Sequence, residues 1–204
     1  YGELANDYSG SSVSFNEDAT IMAIGAYRNG DNGQYSGHVR VYQLLNDSWT
    51  QLGLDISGET AYDYSGRSVS LSSDGKTLAI GATDNDGNGN SSGQVRIYNY
   101  NGTAWSQLGA DIDGEAANDQ SGYSVSLSSD GNTVAIGALY NDGNGNDSGH
   151  VRVFNYNGTD WMQLGSDLDG EAAYDYSGYS VSLSSDGTTL AISARANNGN
   201  GSDS

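Results

Sequence analysis

The segment DYSGSSVS that begins at Asp7 returns as DYSGRSVS at Asp63, DQSGYSVS at Asp119 and DYSGYSVS at Asp175, each copy 56 residues after the last. Trp49, Trp105 and Trp161 keep the step, as do Arg40, Arg96 and Arg152, and Glu3, Glu59, Glu115 and Glu171. No insertion or deletion breaks the register. A strict period of this length is a severe constraint. Each copy is one supersecondary unit that cannot bury its faces alone, so the core must form between stacked neighbours. Residues 1–204 therefore read as a single array of units 7–62, 63–118 and 119–174 with a partial unit 175–204. The chain starts at Tyr1 rather than Met and stops where another strand is due, so it is expected to be a fragment of a longer array.

The third unit shows what one copy contains. SVSL (Ser124–Leu127) alternates small polar and apolar residues, and SSDG (Ser128–Gly131) is a turn signal. TVAIGA (Thr133–Ala138) predicts a second strand, followed by the loop LYNDGNGNDSG. HVRVFNY (His150–Tyr156) alternates again, NGTD (Asn157–Asp160) predicts a hairpin, and WMQLG (Trp161–Gly165) predicts a fourth strand. Period-two alternation punctuated by Gly, Asn and Asp is the pattern of an antiparallel meander. Four strands in about 50 residues is the size of a propeller blade. The fold class expected is all-β: a β-propeller-type array of four-stranded antiparallel blades, about 3.5 of them in this chain. Gly81–Ala82 and Gly137–Ala138, ending the second strands, suit a crowded position.

The chain carries 7 Lys and Arg against 26 Asp and Glu, a net charge of −19. Such a balance disfavours nucleic acid and anionic membranes, which both need basic residues. No apolar run approaches the length of a membrane span, so no membrane insertion is expected in this segment. Cysteine is absent, which leaves no disulfide and no thiolate site.

The run SGYSVSLSSDGNTVAIGA, with GQVRIY (Gly93–Tyr98) and GHVRVF (Gly149–Phe154) as following strands, resembles the FG-GAP repeat. That family forms the β-propeller of integrin α subunits and recurs in microbial and algal surface proteins. The resemblance covers nearly the whole chain and implies a propeller fold. The family's Phe is replaced by Ser9, Ser65, Ser121 and Ser177, and its Pro by Tyr27, Thr83, Leu139 and Arg195. The family's calcium loop between the first two strands is reduced here to SSDG (Ser72–Gly75 and its repeats), too short to wrap an ion.

Antiparallel topology places the blade-to-blade loops and the loops between second and third strands at one end. Only Glu17, Asp18, Asp47, Asp74, Asp130, Asp160 and Asp186 fall at the other end, which leaves 19 of the 26 acids together. Acidic loops of this kind keep a repeat array soluble. They also offer hard oxygen ligands for Ca2+. Two candidate sets follow: Asp84, Asp86 and Asn88 in one loop, and Asp111, Asp113, Glu115 and Asp119 in another, repeated as Asp167, Asp169, Glu171 and Asp175. The second set equally fits turn capping by Asp side chains. No other cofactor is implied.

Arg40, Arg96 and Arg152 are expected to pair with acids such as the Asp7, Asp63, Asp119 and Asp175 series. His38 and His150 share a repeat position with Gln94 between them; with no second His or Cys nearby they read as structural. Six sequons, at Asn46, Asn90, Asn101, Asn146, Asn157 and Asn200, fall in predicted turns and are candidate glycosylation sites. No catalytic residues are indicated. The function expected is an extracellular or cell-surface structural and adhesion repeat protein, a scaffold or part of a surface filament. Its partners would be other copies or flanking repeats. The alternative is a calcium-assisted module that binds a glycan or protein ligand on the acidic face.

Overall fold

The computed structural model describes residues 2–197 and 199, and every regular element among them is a β-strand. In the first unit β1 (Ser12–Phe15), β2 (Ile21–Ala26) and β3 (His38–Leu45) form an antiparallel meander, and β4 (Ser48–Gln51) and β5 (Ile56–Ser57) both pair with the far side of β3. The second unit repeats this as β6 (Ser65–Leu71), β7 (Thr77–Ala82), β8 (Gln94–Tyr100), β9 (Trp105–Gln107) and β10 (Ile112–Asp113). The third has β11 (Ser121–Leu127), β12 (Thr133–Ala138), β13 (His150–Tyr156), β14 (Trp161–Gln163) and β15 (Leu168–Asp169). The last sheet holds only β16 (Ser177–Leu183) and β17 (Leu190–Ala194). The array is three blades and half of a fourth, and among the described residues the sheets do not close into a ring.

The second and third strands have the bounds that alternation predicts. The outer strand differs. The fourth strand expected over 161–165 stops at Gln163, and pairing resumes at Leu168–Asp169, inside what the sequence reads as a blade-to-blade loop. The neighbouring blade explains the break. Trp105 donates its indole N–H to Leu52 O at 2.8 Å, and Trp161 donates to Leu108 O at 2.8 Å. Beside these carbonyls the chain turns through Gly53 (φ +81°) and Gly109 (φ +76°), where a Cβ would fall 2.8 and 2.9 Å from the indole. The outer strand is interrupted so that each blade receives the next blade's Trp. The inner strand is also longer than SVSL suggests: β11 starts at Ser121 and carries a bulge before Ser124.

Stacking builds the core. One cluster joins Ile21, Val39 and Val41 of the first blade to Leu71, Leu78 and Ile80 of the second, and a matching cluster joins the second to the third. The second strand is buried along its whole length in the two middle blades, alternates in the first blade and is mostly exposed in the last. Near-identical sequences therefore differ in burial because they differ in neighbours. The crowding expected at Gly81 and Gly137 is real: a Cβ there would lie 2.0 Å from Gly122 O and 2.2 Å from Gly178 O. Parallel bridges from Gly37, Gly93 and Gly149 to Ser65, Ser121 and Ser177 stitch successive blades.

Candidate functional site

The units differ at many positions, and the fold brings one group of these together. One is the residue after the repeated Asp: Tyr8, Tyr64, Gln120, Tyr176. Another is Ser11, Arg67, Tyr123, Tyr179. The last two follow the second strand: Tyr27-Arg28, Thr83-Asp84, Leu139-Tyr140, Arg195-Ala196. They form a continuous ladder of rings and guanidinium groups across the blades. Arg28 sits over Tyr8 at 4.7 Å, Tyr27 meets Tyr64 at 5.9 Å, and Tyr64 stacks on Tyr35 at 5.8 Å. Arg67 lies over Tyr123 at 4.4 Å, Tyr123 meets Tyr179 at 5.5 Å, and Arg195 covers Tyr179 at 5.5 Å. At its centre Tyr27, Tyr64, Arg67, Asp84, Gln120 and Tyr123 line an open cleft of about 300 Å3.

Local backbone supports this display. Tyr8, Tyr64, Gln120 and Tyr176 all have φ between +54° and +56°, a left-handed conformation that is unfavourable for side chains of this size. The first three units hold this strained residue by a turn in which the residue three positions on donates its N–H to that residue's carbonyl, as Arg67 does to Tyr64 at 3.2 Å and Tyr123 to Gln120 at 3.2 Å. Burial pushes the pKa of Asp84 up, against hydrogen bonds from Thr83 and Ser91 that lower it. Burial, then the Asp84 charge, likewise raises that of the Tyr64 phenol. Arg28, Arg67 and Arg195 put three of the chain's 7 cations beside these rings. Nε of Arg28 is buried without a hydrogen-bond partner.

The acidic end forms as the topology predicts. Asn32, Asn88 and Asn144 of the second-to-third-strand loops donate to Gly58 O, Gly114 O and Gly170 O of the blade-to-blade loops at 2.8–2.9 Å, so both loop sets lie at one end. Several of the predicted ligands are engaged in hydrogen bonds within the loops. Asp84 accepts from Thr83 Oγ1 and Asp86 from Ser91 N, while Asn88 bridges to Gly114 O and Glu115 O. Asp119 and Asp175 are buried and accept from Ala116 N and Ala172 N, and from Asn141 and Asn197 across the loops. Asp111 and Asp167 each hold a Gln side chain, Gln107 and Gln163. Asp113 and Asp169 belong to short strands, and Glu171 is exposed.

The arginines pair with acids as expected, but with the Glu3 series rather than the Asp7 series. Arg40, Arg96 and Arg152 reach Glu3, Glu59 and Glu115 at 3.2, 3.6 and 3.8 Å. The Asp7 series is already occupied by backbone N–H groups, as with Asp63 and the amides of Glu59 and Thr60. His38 and His150 are almost fully buried, and each turns Nδ1 toward carboxylates: Asp31 at 3.5 Å and Asp55 at 3.8 Å, and Glu115 at 3.7 Å and Asp169 at 4.0 Å. The sequons at Asn46, Asn90, Asn101, Asn146 and Asn157 are all exposed, and Asn200 lies outside the described residues.

An all-β array of four-stranded antiparallel blades defines a repeat protein of the propeller type. The FG-GAP repeat matches residues 3–42, 56–98 and 110–154, more than half the chain, and the chain belongs to that family. FG-GAP repeats occur in adhesion and integrin-like proteins and are typical of extracellular and surface proteins. No curated protein matches the chain. Among solved structures it is similar to a putative 6-phosphogluconolactonase from Bacteroides uniformis, with 13% identity and a TM-score of 0.62 over 92% of this chain and 48% of that one. It is also similar to a hypothetical selenium-binding protein from Sulfolobus tokodaii, with 10% identity and a TM-score of 0.47 over 78% and 42%. The chain thus spans about half the length of the first structure, and that likeness shows the shared fold.

Proposed function

We propose that this chain is an extracellular, adhesion-type binding module, and that its ligand is a glycan chain laid along the Tyr–Arg ladder. One observation carries the reading: a group of positions at which the units differ lies on one connected surface of half-buried to exposed rings and guanidinium groups. Tyr8 is 50%, Tyr140 37% and Tyr179 38% exposed. Fixed ring faces suit the apolar faces of sugars, and Arg, Asp and Gln supply the directional hydrogen bonds that give orientation. The ladder is long and open rather than enclosed, which favours an extended ligand. It holds no paired nucleophile and base, so binding rather than catalysis is the reading. The reading does not depend on calcium. The test is a glycan array followed by titration of Tyr64→Ala and Arg67→Ala. Loss of a central aromatic or arginine contact should weaken binding by about tenfold or more, the range of interface hot spots. Unchanged affinity in both variants, or no glycan retained by the parent chain, would refute the reading.

A scaffold role has its own support. Trp49 is 42% exposed, and Val13 and Phe15 are each 48% exposed, whereas Trp161 is 7% exposed against its neighbour. The first blade thus offers the surface that successive blades use to stack, and flanking repeats or other copies are the partners that would cover it. Sedimentation across a concentration series tests association, and thermal unfolding with and without a chelator tests calcium.

A further inference from the structure

The two histidines make a second kind of site. His38 and His150 are each 1% exposed, yet Nδ1 of both lacks a hydrogen-bond partner, as does Nε2 of His150. Buried polar atoms in folded proteins are nearly always paired. Each imidazole faces a nest of acids. Around His38 stand Glu3, Asp31 and Asp55, and around His150 stand Glu115 and Asp167, with the potential ligand atoms of each group within 4.8 Å of one another.

The spacing fits an ion better than hydrogen bonds. The Nδ1 to carboxylate distances of 3.5, 3.7 and 3.8 Å are too long for hydrogen bonds. Around a zinc-sized ion with bonds of about 2.0–2.2 Å, neighbouring ligand atoms of a tetrahedron lie about 3.3 Å apart. The carboxylates are also oriented from behind: Gln51 donates to Asp55 Oδ1 and Gln163 to Asp167 Oδ1, and Asp55 presents its other oxygen to His38. Outer partners of this kind are a regular part of metal sites.

The second blade shows the same position without an imidazole. Gln94 replaces the histidine, and its amide nitrogen donates to Glu59 and Asp113, both at 3.4 Å. There the acids are bridged by a neutral donor, and the frame is unchanged. We propose that the chain binds two divalent transition-metal ions of the zinc class, one on His38 with Glu3, Asp31 and Asp55, and one on His150 with Glu115 and Asp167. Imidazole with few carboxylates selects such ions over Ca2+, which takes six or more oxygen ligands. Each ion would tie a third strand to the adjacent outer-strand and blade-to-blade loops, independently of the ladder.

Calorimetric titration of the metal-stripped chain with Zn2+, and separately with Ca2+, tests this. The parent chain should take up two Zn2+. His38→Gln and His150→Gln, which copy the second blade and so preserve the fold, should each take up one, and the double variant none. Gln94→His should gain a third. Zn2+ should also raise the melting temperature of the parent but not of the double variant. No Zn2+ uptake by the parent, two ions retained in the double variant, or Ca2+ bound equally at the same sites would overturn the proposal.

Discussion

Trp161 and Trp49 occupy the same place in the repeat, so truncating each to Ala isolates what blade stacking contributes. A buried Trp removes up to roughly 250 Å2 from water, and at about 25 cal/mol per Å2 that amounts to about 6 kcal/mol as an upper bound. Trp161 is 7% exposed and Trp49 42% exposed, so burial alone favours Trp161 by about a third of that figure, roughly 2 kcal/mol. Trp161→Ala also leaves Leu108 O without its indole donor, which adds about 1 kcal/mol. Water fills the space left by Trp49, whereas the space left by Trp161 lies between two blades. The expected costs are about 4 kcal/mol for Trp161→Ala, in the usual range for such truncations, and about 1 kcal/mol for Trp49→Ala. Urea unfolding followed by circular dichroism measures both. Repeat arrays can unfold in parts, so hydrogen exchange should accompany it, with protection lost first in β9, β10 and β12 of the Trp161 variant. Equal costs at the two positions would refute the claim that the core is made between blades.

Gly81→Ala places a methyl 2.0 Å from Gly122 O and should lower stability by about 3 kcal/mol, whereas Gly102→Ala, at φ +96° with nothing within 4 Å, should cost about 1 kcal/mol; melting temperatures decide. Asp84→Asn tests the half-buried acid of the ladder. A carboxyl whose folded pKa lies above its unfolded value destabilises the fold above that range, so the variant should melt higher at pH 7, with the gain fading as the pH falls toward 3.8. A gain that grew on acidification would invert the sign and refute the assignment. Expressed through a eukaryotic secretory pathway, the chain should carry glycans at Asn101 and Asn157, whose hairpins are exposed; an unchanged mass after deglycosylation would count against it.

What the sequence reveals here follows from which interactions are local. The strands TVAIGA and HVRVFNY are legible to the residue because alternation and flanking turn residues fix them within one unit. The division of the outer strand is not, because it is imposed by an indole that arrives from 53 residues away, as Trp105 reaches Leu52. The partners of the arginines are missed for the same reason: Glu115 and Asp119 are both acids in one loop, and only the fold shows that Asp119 is already occupied by Ala116 N and Asn141. His38 looks solitary in sequence because its partners Glu3 and Asp31 come from separate loops.

The ladder is missed for a subtler reason, and it bears on function. Aligning the units emphasises what they share, which is the frame: the Trp dock, the Gly contact and the Asp cap. Tyr8, Tyr64, Gln120 and Tyr176 then look like tolerated noise. Packing argues otherwise. Some positions that touch a neighbouring blade have little room to vary, as the 2.0–2.2 Å clearances at Gly25, Gly81 and Gly137 show. The units also differ at scattered exposed sites, as at Lys76, Asn132 and Thr188, which share one repeat position. In the ladder, by contrast, differing residues become consecutive rungs, from Arg28 over Tyr8 to Arg195 over Tyr179. Under the proposed function this connected surface is the recognition site, and its rungs are the residues to mutate first.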